Sequence, residues 1–479
     1  MKKVLLCIVS AFLMASMSAL HAEHIGVPSE CEDVMLQCFY WDSNSSTKYG
    51  RTKWADLFKD TTAITENFDL VWFPPSAQST GGVGYYHTCL SKQGGAWGQK
   101  ASLVKLINAL HHGDTKCIAD IVINHRGSYG GWCSFLEDNF GEGYGSFQLT
   151  QQHICKGDEC FRTDGSECYA APAAERGNSD TGTNDAGARD LDHTSDYVQS
   201  WAKAYVRWML EVMHYDGFRY DMTLGYHGKY LKKYNQEANP YISVSECWES
   251  IDRQKQHLQE TDSNTMIFDF QQKYELKKAI VDGNYALLKK NSNSFRGQGL
   301  EKFAVTFIDN HDTFERDSYG SQQFGGQDLS AAATKAQIMQ ANAYILSMPG
   351  IPCVFWPHWY CYREDINRLI RIRKLAGIHS ESEVLEETSG TKSYSATVQG
   401  HNHKLVVRVG KNRDMSVPAG FYLHADGDYY SVYIEGVEGV ETVGDNRSSV
   451  IGEKFVENGQ LYIRVGEKKY DMMGRIVKD

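Results

Sequence analysis

The amino-acid sequence predicts an α/β fold: a (β/α)8 TIM barrel with an inserted irregular domain after strand 3 and a C-terminal antiparallel β domain. Three observations support this prediction. Before residue 380, eight short apolar runs of strand-like composition are separated by segments of helical period. The alternation is interrupted once, between residues 126 and 192. Beyond residue 380, alternating β-type runs follow one another without a helical period.

The first part of the chain shows two elements that bear on the site. The third predicted strand is almost wholly apolar, as expected of a parallel strand that is covered on both faces. A glycine-rich loop at 81–86 contains two tyrosines. The eight strands are expected at residues 34–40, 69–73, 117–123, 216–221, 241–246, 265–270, 303–308 and 351–356.

Residues 126–192 are rich in Gly, Asp, Ser and Cys and have no sustained period. Loops of this length are rare in compact domains and are usually functional. We therefore expect a small irregular domain inserted after the third strand. Regular structure resumes in a helix with Val198, Trp201 and Tyr205 on one face.

The N-terminus has the pattern of a targeting segment. Lys2 and Lys3 precede an apolar run that ends in small residues at Ala22. This pattern is typical of a cleaved secretory signal peptide. A transmembrane anchor is the alternative, but the run is at the short limit for a span. We expect a secreted or periplasmic protein with no membrane span after cleavage.

The expected organisation has four parts. They are a signal peptide at 1–22, a catalytic barrel at 23–378 that 126–192 interrupts, a C-terminal β domain at 379–435, and a tail at 436–479. The formal net charge of −11 argues against nucleic acid as a partner. We expect the chain to be a monomer.

Three carboxylates are predicted at or just past strand ends on one rim of the barrel: Asp221, Glu246 and Asp312. Barrel enzymes take their catalytic groups from this rim. Arg219 lies two residues before Asp221, so both side chains point to the same face of the strand. A neighbouring arginine favours the ionised carboxylate that a nucleophile needs.

Glu246 has apolar neighbours in sequence, and such an environment raises a carboxyl pKa towards the range of a general acid. Retaining glycoside hydrolysis needs one ionised and one protonated carboxyl about 5 Å apart. Asp312 could bind sugar hydroxyls and oppose positive charge in the transition state. An ordinary Arg–Asp ion pair is the alternative reading of Arg219 and Asp221.

Four segments in order resemble the signature segments of the α-amylase superfamily. They are Asp120-Ile-Val-Ile-Asn124-His125, Gly217-Phe-Arg219-Tyr-Asp221, Glu246-Cys-Trp and Phe307-Ile-Asp-Asn-His311-Asp312. The wider match runs from about residue 37 to about residue 436 and is most similar to plant-type α-amylases. The resemblance implies retaining endo-hydrolysis of α-1,4-glucosidic bonds in starch-like α-glucans.

By position, the resemblance implies that Asp221 is the nucleophile, Glu246 the general acid/base and Asp312 the transition-state stabiliser. Four further residues match positions that hold the sugar and the carboxylates or stack on the sugar: Tyr85, His125, Arg219 and His311. The tail at 436–479 resembles the C-terminal tails of some exported Gram-negative proteins, which suggests a role in sorting. It contains two further strand-like runs, 460–465 and 472–477.

The resemblance also implies a bound Ca²⁺. Asp180 and Asp190 offer the hard oxygen ligands that Ca²⁺ prefers. With Asn124 they match the side-chain ligands of the family's calcium site, and the carbonyls of Thr183 and Gly225 match its main-chain ligands. Such an ion would tie the inserted segment to the barrel.

Two alternatives to an α-amylase remain open in the sequence. One is another superfamily enzyme, a maltodextrin glucosidase or a transglycosylase, because the motifs around the cleaved bond are shared. Leu224 stands where the family often has a basic residue, which leaves the product pattern open. The other is a non-catalytic glucan-binding relative, although all three carboxylates are present.

Overall fold

The computed structural model describes most of the chain. The described residues are 24–127, 129, 134–156, 176–183, 188–290, 293–316, 334–411, 417–438, 453–457, 460–465, 468–470 and 476–477. The expected signal peptide at 1–22 lies outside them. Among the described residues, no helix combines the length and the apolar character needed to cross a bilayer.

Eight parallel strands close into a barrel in chain order, and the last strand pairs with the first. Each strand overlaps a segment in which the sequence predicts one, so the predicted barrel is confirmed. The strands are β1 Met35–Gln37, β2 Leu70–Trp72, β3 Lys116–Ile121, β4 Gly217–Tyr220, β5 Ile242–Ser245, β6 Met266–Phe268, β7 Ala304–Phe307 and β8 Ile351–Phe355.

Helices follow the barrel strands in sequence. In the predicted helix after the insertion, Val198, Trp201 and Tyr205 are buried. The helices are α1 Trp54–Leu57, α2 Thr61–Thr65, α3 Lys100–His112, α4 Asp196–Glu211, α5 Gly228–Ala238, α6 Ile251–Glu260, α7 Phe270–Val281, α8 Phe295–Gln298, α9 Lys335–Ser347, α10 Trp356–Cys361 and α11 Arg363–Ala376.

The loop after β2 contains an antiparallel pair of strands that the sequence did not predict. Ala77–Ser79 pairs with His87–Gly95, and the glycine-rich turn lies between them. Gly84 has φ +119°, and a Cβ on it would lie 2.7 Å from the carbonyl oxygen of Pro75. Only glycine fits at this position, next to Tyr85.

The segment between β3 and β4 contains short antiparallel pairs. His125–Arg126, which begins four residues after the end of β3, pairs with Arg189–Asp190. Asp138–Asn139 pairs with Ser146–Phe147. The first pair brings the end of the insertion back to its beginning, beside the rim where β3 ends.

A five-stranded antiparallel sheet follows the barrel, so the predicted C-terminal β domain is confirmed. The strands are β9 Val384–Ser389, β10 Ser393–Gln399, β11 Lys404–Gly410, β12 Phe421–Gly427 and β13 Tyr430–Glu435. Their order in the sheet is β9-β10-β11-β13-β12. Strand β11 packs against α9 of the barrel. The domain boundaries remain predictions.

The tail forms a second antiparallel sheet, with its four described strands in chain order. Gln460–Val465 coincides with a strand predicted from sequence. The other predicted run, 472–477, lies largely outside the described residues, which include only its last part, Ile476–Val477. The strands are β14 Glu453–Glu457, β15 Gln460–Val465, β16 Lys468–Tyr470 and β17 Ile476–Val477.

A buried ion pair holds the insertion, the loop after β2 and α4 together. Arg126 Nη1 lies 2.8 Å from Asp138 Oδ2, and both side chains are fully buried. Asp138 also accepts hydrogen bonds from the backbone N–H of Leu90 at 2.6 Å and from Trp201 Nε1 at 2.8 Å. A buried charge needs this number of partners to be tolerated.

We predict that Asp138→Ala lowers the thermal midpoint strongly. The substitution leaves the Arg126 charge buried without its partner, a loss of about 3–5 kcal/mol. Scanning calorimetry measures the change. The matched control is Glu435→Ala, which breaks the exposed ion pair between Lys404 and Glu435. A midpoint that falls equally in both variants would contradict the prediction.

Candidate active site

The three predicted carboxylates meet at the carboxyl ends of the barrel strands. Asp221 directly follows β4, and its backbone N–H donates to the carbonyl of Ile121 at 3.0 Å. Glu246 directly follows β5, and its N–H donates to the carbonyl of Tyr220 at 3.0 Å. Asp312 lies in the turn after β7. Parallel pairing therefore brings residues that are far apart in sequence to one rim.

Arg219 lies at the centre of this group. Its Nη1 is 2.7 Å from Asp221 Oδ1 and 2.9 Å from Asp120 Oδ1, and its Nη2 is 2.8 Å from Glu246 Oε1. The guanidinium carbon also lies 5.1 Å from the centroid of the Trp72 ring. The contact with Asp221 was predicted from sequence. The contacts with Asp120 and Glu246 were not predicted, because they depend on which strands lie beside β4 in the barrel.

The register of the barrel explains those two contacts. Arg219 on β4 is paired with Asp120 on β3 and with Val244 on β5, two residues before Glu246. Side chains two residues apart on a strand share a face. One guanidinium can therefore reach carboxylates from three adjacent strands.

Burial raises the pKa of the carboxyl groups around Arg219. It raises the pKa of Glu246, and the charge of Asp312 raises it further, although Arg219 lowers it. It raises the pKa of Asp120 to about 6. It also raises the pKa of Asp221, which the charge of Arg219 lowers. Burial thus favours the protonated form of each carboxyl, and the Arg219 charge favours the ionised form.

His311 lies between two of the candidate residues. The side-chain amide of Gln37 donates to His311 Nδ1 at 3.0 Å, so the neutral ring carries its proton on Nε2. Nε2 lies 3.1 Å from Asp312 Oδ2 and 2.8 Å from the hydroxyl of Tyr85. Burial lowers the pKa of His311 well below its ordinary value, which favours this neutral form.

Tyr85 joins the same network. Its hydroxyl donates to Asp120 Oδ2 at 2.8 Å, and its ring is parallel to that of Trp41, with centroids 5.8 Å apart. Its carbonyl oxygen lies 3.0 Å from His125 Nε2. His125 thus contacts the backbone of Tyr85, whereas His311 contacts its side chain.

Sequence reasoning missed four residues of this network: Gln37, Trp72, Asp120 and Arg316. From the sequence, Asp120 is recognised only as the first residue of a motif. Its position four residues before Asn124 on a buried strand was an available signal, because a carboxylate in an apolar strand needs a partner. Gln37 and Trp72 end β1 and β2 and contact the group only through barrel closure.

The predicted metal-binding residues form a second group beside the rim. The backbone N–H of Thr183 donates to the carbonyl of Leu224 at 2.7 Å, next to Gly225. Carboxylate oxygens of Asp180 and Asp190 lie within 4.8 Å of each other and of Cys155 Sγ. The structure thus brings the insertion against the loop after β4.

The chemistry of this group fits a calcium ion. Asn124 is fully buried, and its Oδ1 accepts no hydrogen bond from the described residues. A Cβ on Gly225 would lie 1.9 Å from that oxygen, so glycine leaves it open. Asp180 and Asp190 add negative charge and hard oxygen atoms, the ligand type that Ca²⁺ prefers. The thiol of Cys155 is a softer neighbour.

Known proteins resemble this chain in sequence. It is 28% identical to the Arabidopsis thaliana protein "Probable alpha-amylase 2" over 422 residues, which are 84% of this chain and 94% of that protein. It is 36% identical to the "Alpha-amylase type B isozyme" of Hordeum vulgare over 134 residues, or 27% of this chain and 78% of that protein. No family model matches the chain.

The chain belongs to the α-amylase superfamily. It is a glycoside hydrolase. Its fold is similar to that of the α-amylase of Geobacillus thermoleovorans, whose structure contains acarbose. The TM-score is 0.61 at 14% identity, over 85% of this chain and 99% of that chain. The superfamily membership and the barrel thus agree with the predictions from sequence.

We predict that Glu246→Gln raises the thermal midpoint at neutral pH. Because burial raises the pKa of Glu246 in the fold, the protonated form is favoured there, and its stabilisation is lost as pH rises above the unfolded value. The neutral amide avoids this loss. The gain should shrink towards about pH 4, where the unfolded carboxyl is also protonated.

The control is Glu249→Gln, which changes an exposed glutamate three residues later. Its midpoint should follow that of the unsubstituted protein across the pH range. A lower midpoint for Glu246→Gln at pH 7 would show that the ion pair with Arg219 outweighs the cost of burying Glu246.

Proposed function

We propose that the protein is a secreted α-amylase that hydrolyses α-1,4-glucosidic bonds within starch-like glucans, with retention of configuration. The observation that carries the proposal is the joining of Asp221 and Glu246 by Arg219, with Asp312 beside them, at the rim of a superfamily barrel. The names of the relatives and the acarbose in the neighbouring structure support the substrate class.

In the first step, the Asp221 carboxylate attacks the anomeric carbon of the bound sugar. Glu246 gives its proton to the glycosidic oxygen, the bond from that oxygen to the carbon breaks, and the shortened glucan leaves as an alcohol. A glycosyl ester on Asp221 remains. Burial raises the pKa of Glu246, which favours the protonated form that a general acid needs, whereas Arg219 lowers the pKa of Asp221 and orients its attacking carboxylate.

In the second step, Glu246 takes a proton from a water molecule, which attacks the same carbon. The ester bond breaks, and Asp221 returns as a carboxylate. Two inversions give net retention. Because Arg219 contacts both carboxyls, its charge stays close to whichever group is ionised at each stage.

Asp312 opposes the positive charge that develops on the sugar and binds its hydroxyls. His311 directs its Nε2–H into the same space, and Tyr85 offers its ring to the sugar. His125 holds the Tyr85 backbone and contributes to the same sugar position. These roles follow the positions of the residues in the superfamily motifs.

A calcium ion would be held by the side chains of Asn124, Asp180 and Asp190 and the carbonyls of Thr183 and Gly225. When bound, it supplies positive charge that joins the insertion to the loop after Asp221. The chain's own residues bring these groups together through the His125–Arg126 pairing with Arg189–Asp190. The signal peptide at 1–22 would direct export of the protein. The tail at 436–479 would act in its sorting.

We predict that Asp221→Asn lowers hydrolysis of soluble starch by more than about 10³-fold, because the amide cannot form the glycosyl ester. Reducing-end release and viscosity are followed together, and viscosity should fall early for the unsubstituted enzyme. The matched control is Asp216→Asn at the other end of β4, where Asp216 accepts a hydrogen bond from the Cys117 N–H at 2.7 Å.

Other outcomes of this assay distinguish the alternatives. Slow loss of viscosity with steady release of small sugars would replace endo-hydrolysis with an exo-acting glucosidase. A rise in longer glucans would indicate transglycosylation. Glucan binding without turnover by the unsubstituted protein would reject the enzyme in favour of a binding protein.

We predict that EDTA lowers the thermal midpoint and that added Ca²⁺ restores it. A ligand at 100 times its Kd stabilises a protein by about 2.7 kcal/mol. Asp190→Asn should greatly reduce the calcium-dependent shift, because it removes one of the buried carboxylates. Isothermal calorimetry measures binding directly, and Asp196→Asn, at an exposed position at the start of α4, is the control. An equal shift in Asp190→Asn would exclude this site.

A further inference from the structure

Asp312 is held on both sides by neighbouring side chains. Its Oδ2 lies 3.1 Å from His311 Nε2. Its Oδ1 accepts a hydrogen bond from Arg316 Nη2 at 2.5 Å. Because each oxygen has a partner, the carboxyl group cannot rotate without losing a charged or polar contact. Arg316 lies four residues after Asp312, in the segment that follows β7.

The indole of Trp41 determines where the Arg316 guanidinium lies. The guanidinium carbon is 3.7 Å from the centroid of a Trp41 ring, so the planar cation covers the ring face. The Arg316 side chain is only 8% exposed. A guanidinium can stack on a ring and donate hydrogen bonds from its edge at the same time, which a lysine ammonium cannot do.

Arg316 adds a second positive charge to Arg219 in the described part of the site. Arg219 is already shared by three carboxylates, whereas Arg316 pairs with Asp312. Burial raises the pKa of Asp312, and Arg316 and Arg219 lower it. The titratable and charged groups that face Asp312 are Arg316, Arg219, His311, Tyr85, Asp221 and Glu246.

We propose that Arg316 is a positioning residue for the glycosidic reaction, which fixes the Asp312 carboxylate at the sugar and balances its charge, with Trp41 holding the guanidinium in place. This inference rests on the proposed function. Arg316 acts through Asp312 and not on the reacting atoms. A side chain with only a structural role would affect stability but not the pH dependence of the reaction.

The test compares pH profiles of kcat and kcat/KM on soluble starch for the Ca²⁺-loaded unsubstituted enzyme, Arg316→Gln and Arg316→Lys. In Arg316→Gln the loss of the cation raises the pKa of Asp312, so ionisation needs a higher pH. The acid limb should move up by about 1 pH unit. At the pH optimum, kcat should fall at least about tenfold, because Asp312 is no longer held in position.

Arg316→Lys keeps the charge but loses the planar stack. Its acid limb should stay closer to that of the unsubstituted enzyme, while its kcat stays low. The matched control is Lys48→Gln. Lys48 forms an ion pair with Glu315, the residue before Arg316, and its side chain is half exposed. This control removes a positive charge from the same region without touching Asp312, so its profile should be unchanged.

Three outcomes decide the matter. An active Arg316→Gln enzyme with an unshifted acid limb would overturn the proposal. If that variant does not fold, Arg316→Lys decides, and a kcat and acid limb equal to those of the unsubstituted enzyme would overturn the proposal. An unsubstituted enzyme that hydrolyses no glucan at any pH would instead overturn the proposed function.

Discussion

The site depends on one buried cation that several carboxylates share. Arg219 is 1% exposed, and its two terminal nitrogens contact Asp120, Asp221 and Glu246 from three adjacent strands. An unpaired charge in this position would be very unfavourable, and so would the carboxylates without it. The parallel register of β3, β4 and β5 is therefore a condition for ionising any of these groups. The strand register of the barrel therefore sets the electrostatic environment of the three carboxylates.

The insertion after β3 contacts two of the loops that lie beside these carboxylates. The buried pair of Arg126 and Asp138 joins it to the loop that carries Tyr85, and the N–H of Thr183, which donates to the carbonyl of Leu224, joins it to the loop after Asp221. The ion pair places charge in buried surroundings, where each partner depends on the other. Movement of the insertion would therefore change the loops on which the proposed sugar-binding residues lie.

Much of the fold was predictable because its signals are local. All eight barrel strands overlap predicted segments, and so does Gln460–Val465 in the tail. The strand pair around the glycine-rich turn was missed, because its register shifts by bulges and leaves no regular alternation. In the site, Asp221 with Arg219 followed from a spacing of two residues. The placing of Arg316 did not, because Trp41, the ring against which its guanidinium lies, is far away in sequence.

The sequence by itself determined the alternation of strands and helices, the placing of Asp221, Glu246 and Asp312 at strand ends, and the family to which these motifs belong. Those features depend on period and on neighbours along the chain. Only the tertiary structure decided that Arg219 also pairs with Asp120 and Glu246, and that both oxygens of Asp312 are held. The Arg219 contacts depend on strand register, which brings distant residues to about 3 Å from each other in buried surroundings, where charges interact strongly. The Asp312 contacts depend on the fold of the turn after β7 and on the ring of Trp41, which lies far away in sequence and under Arg316.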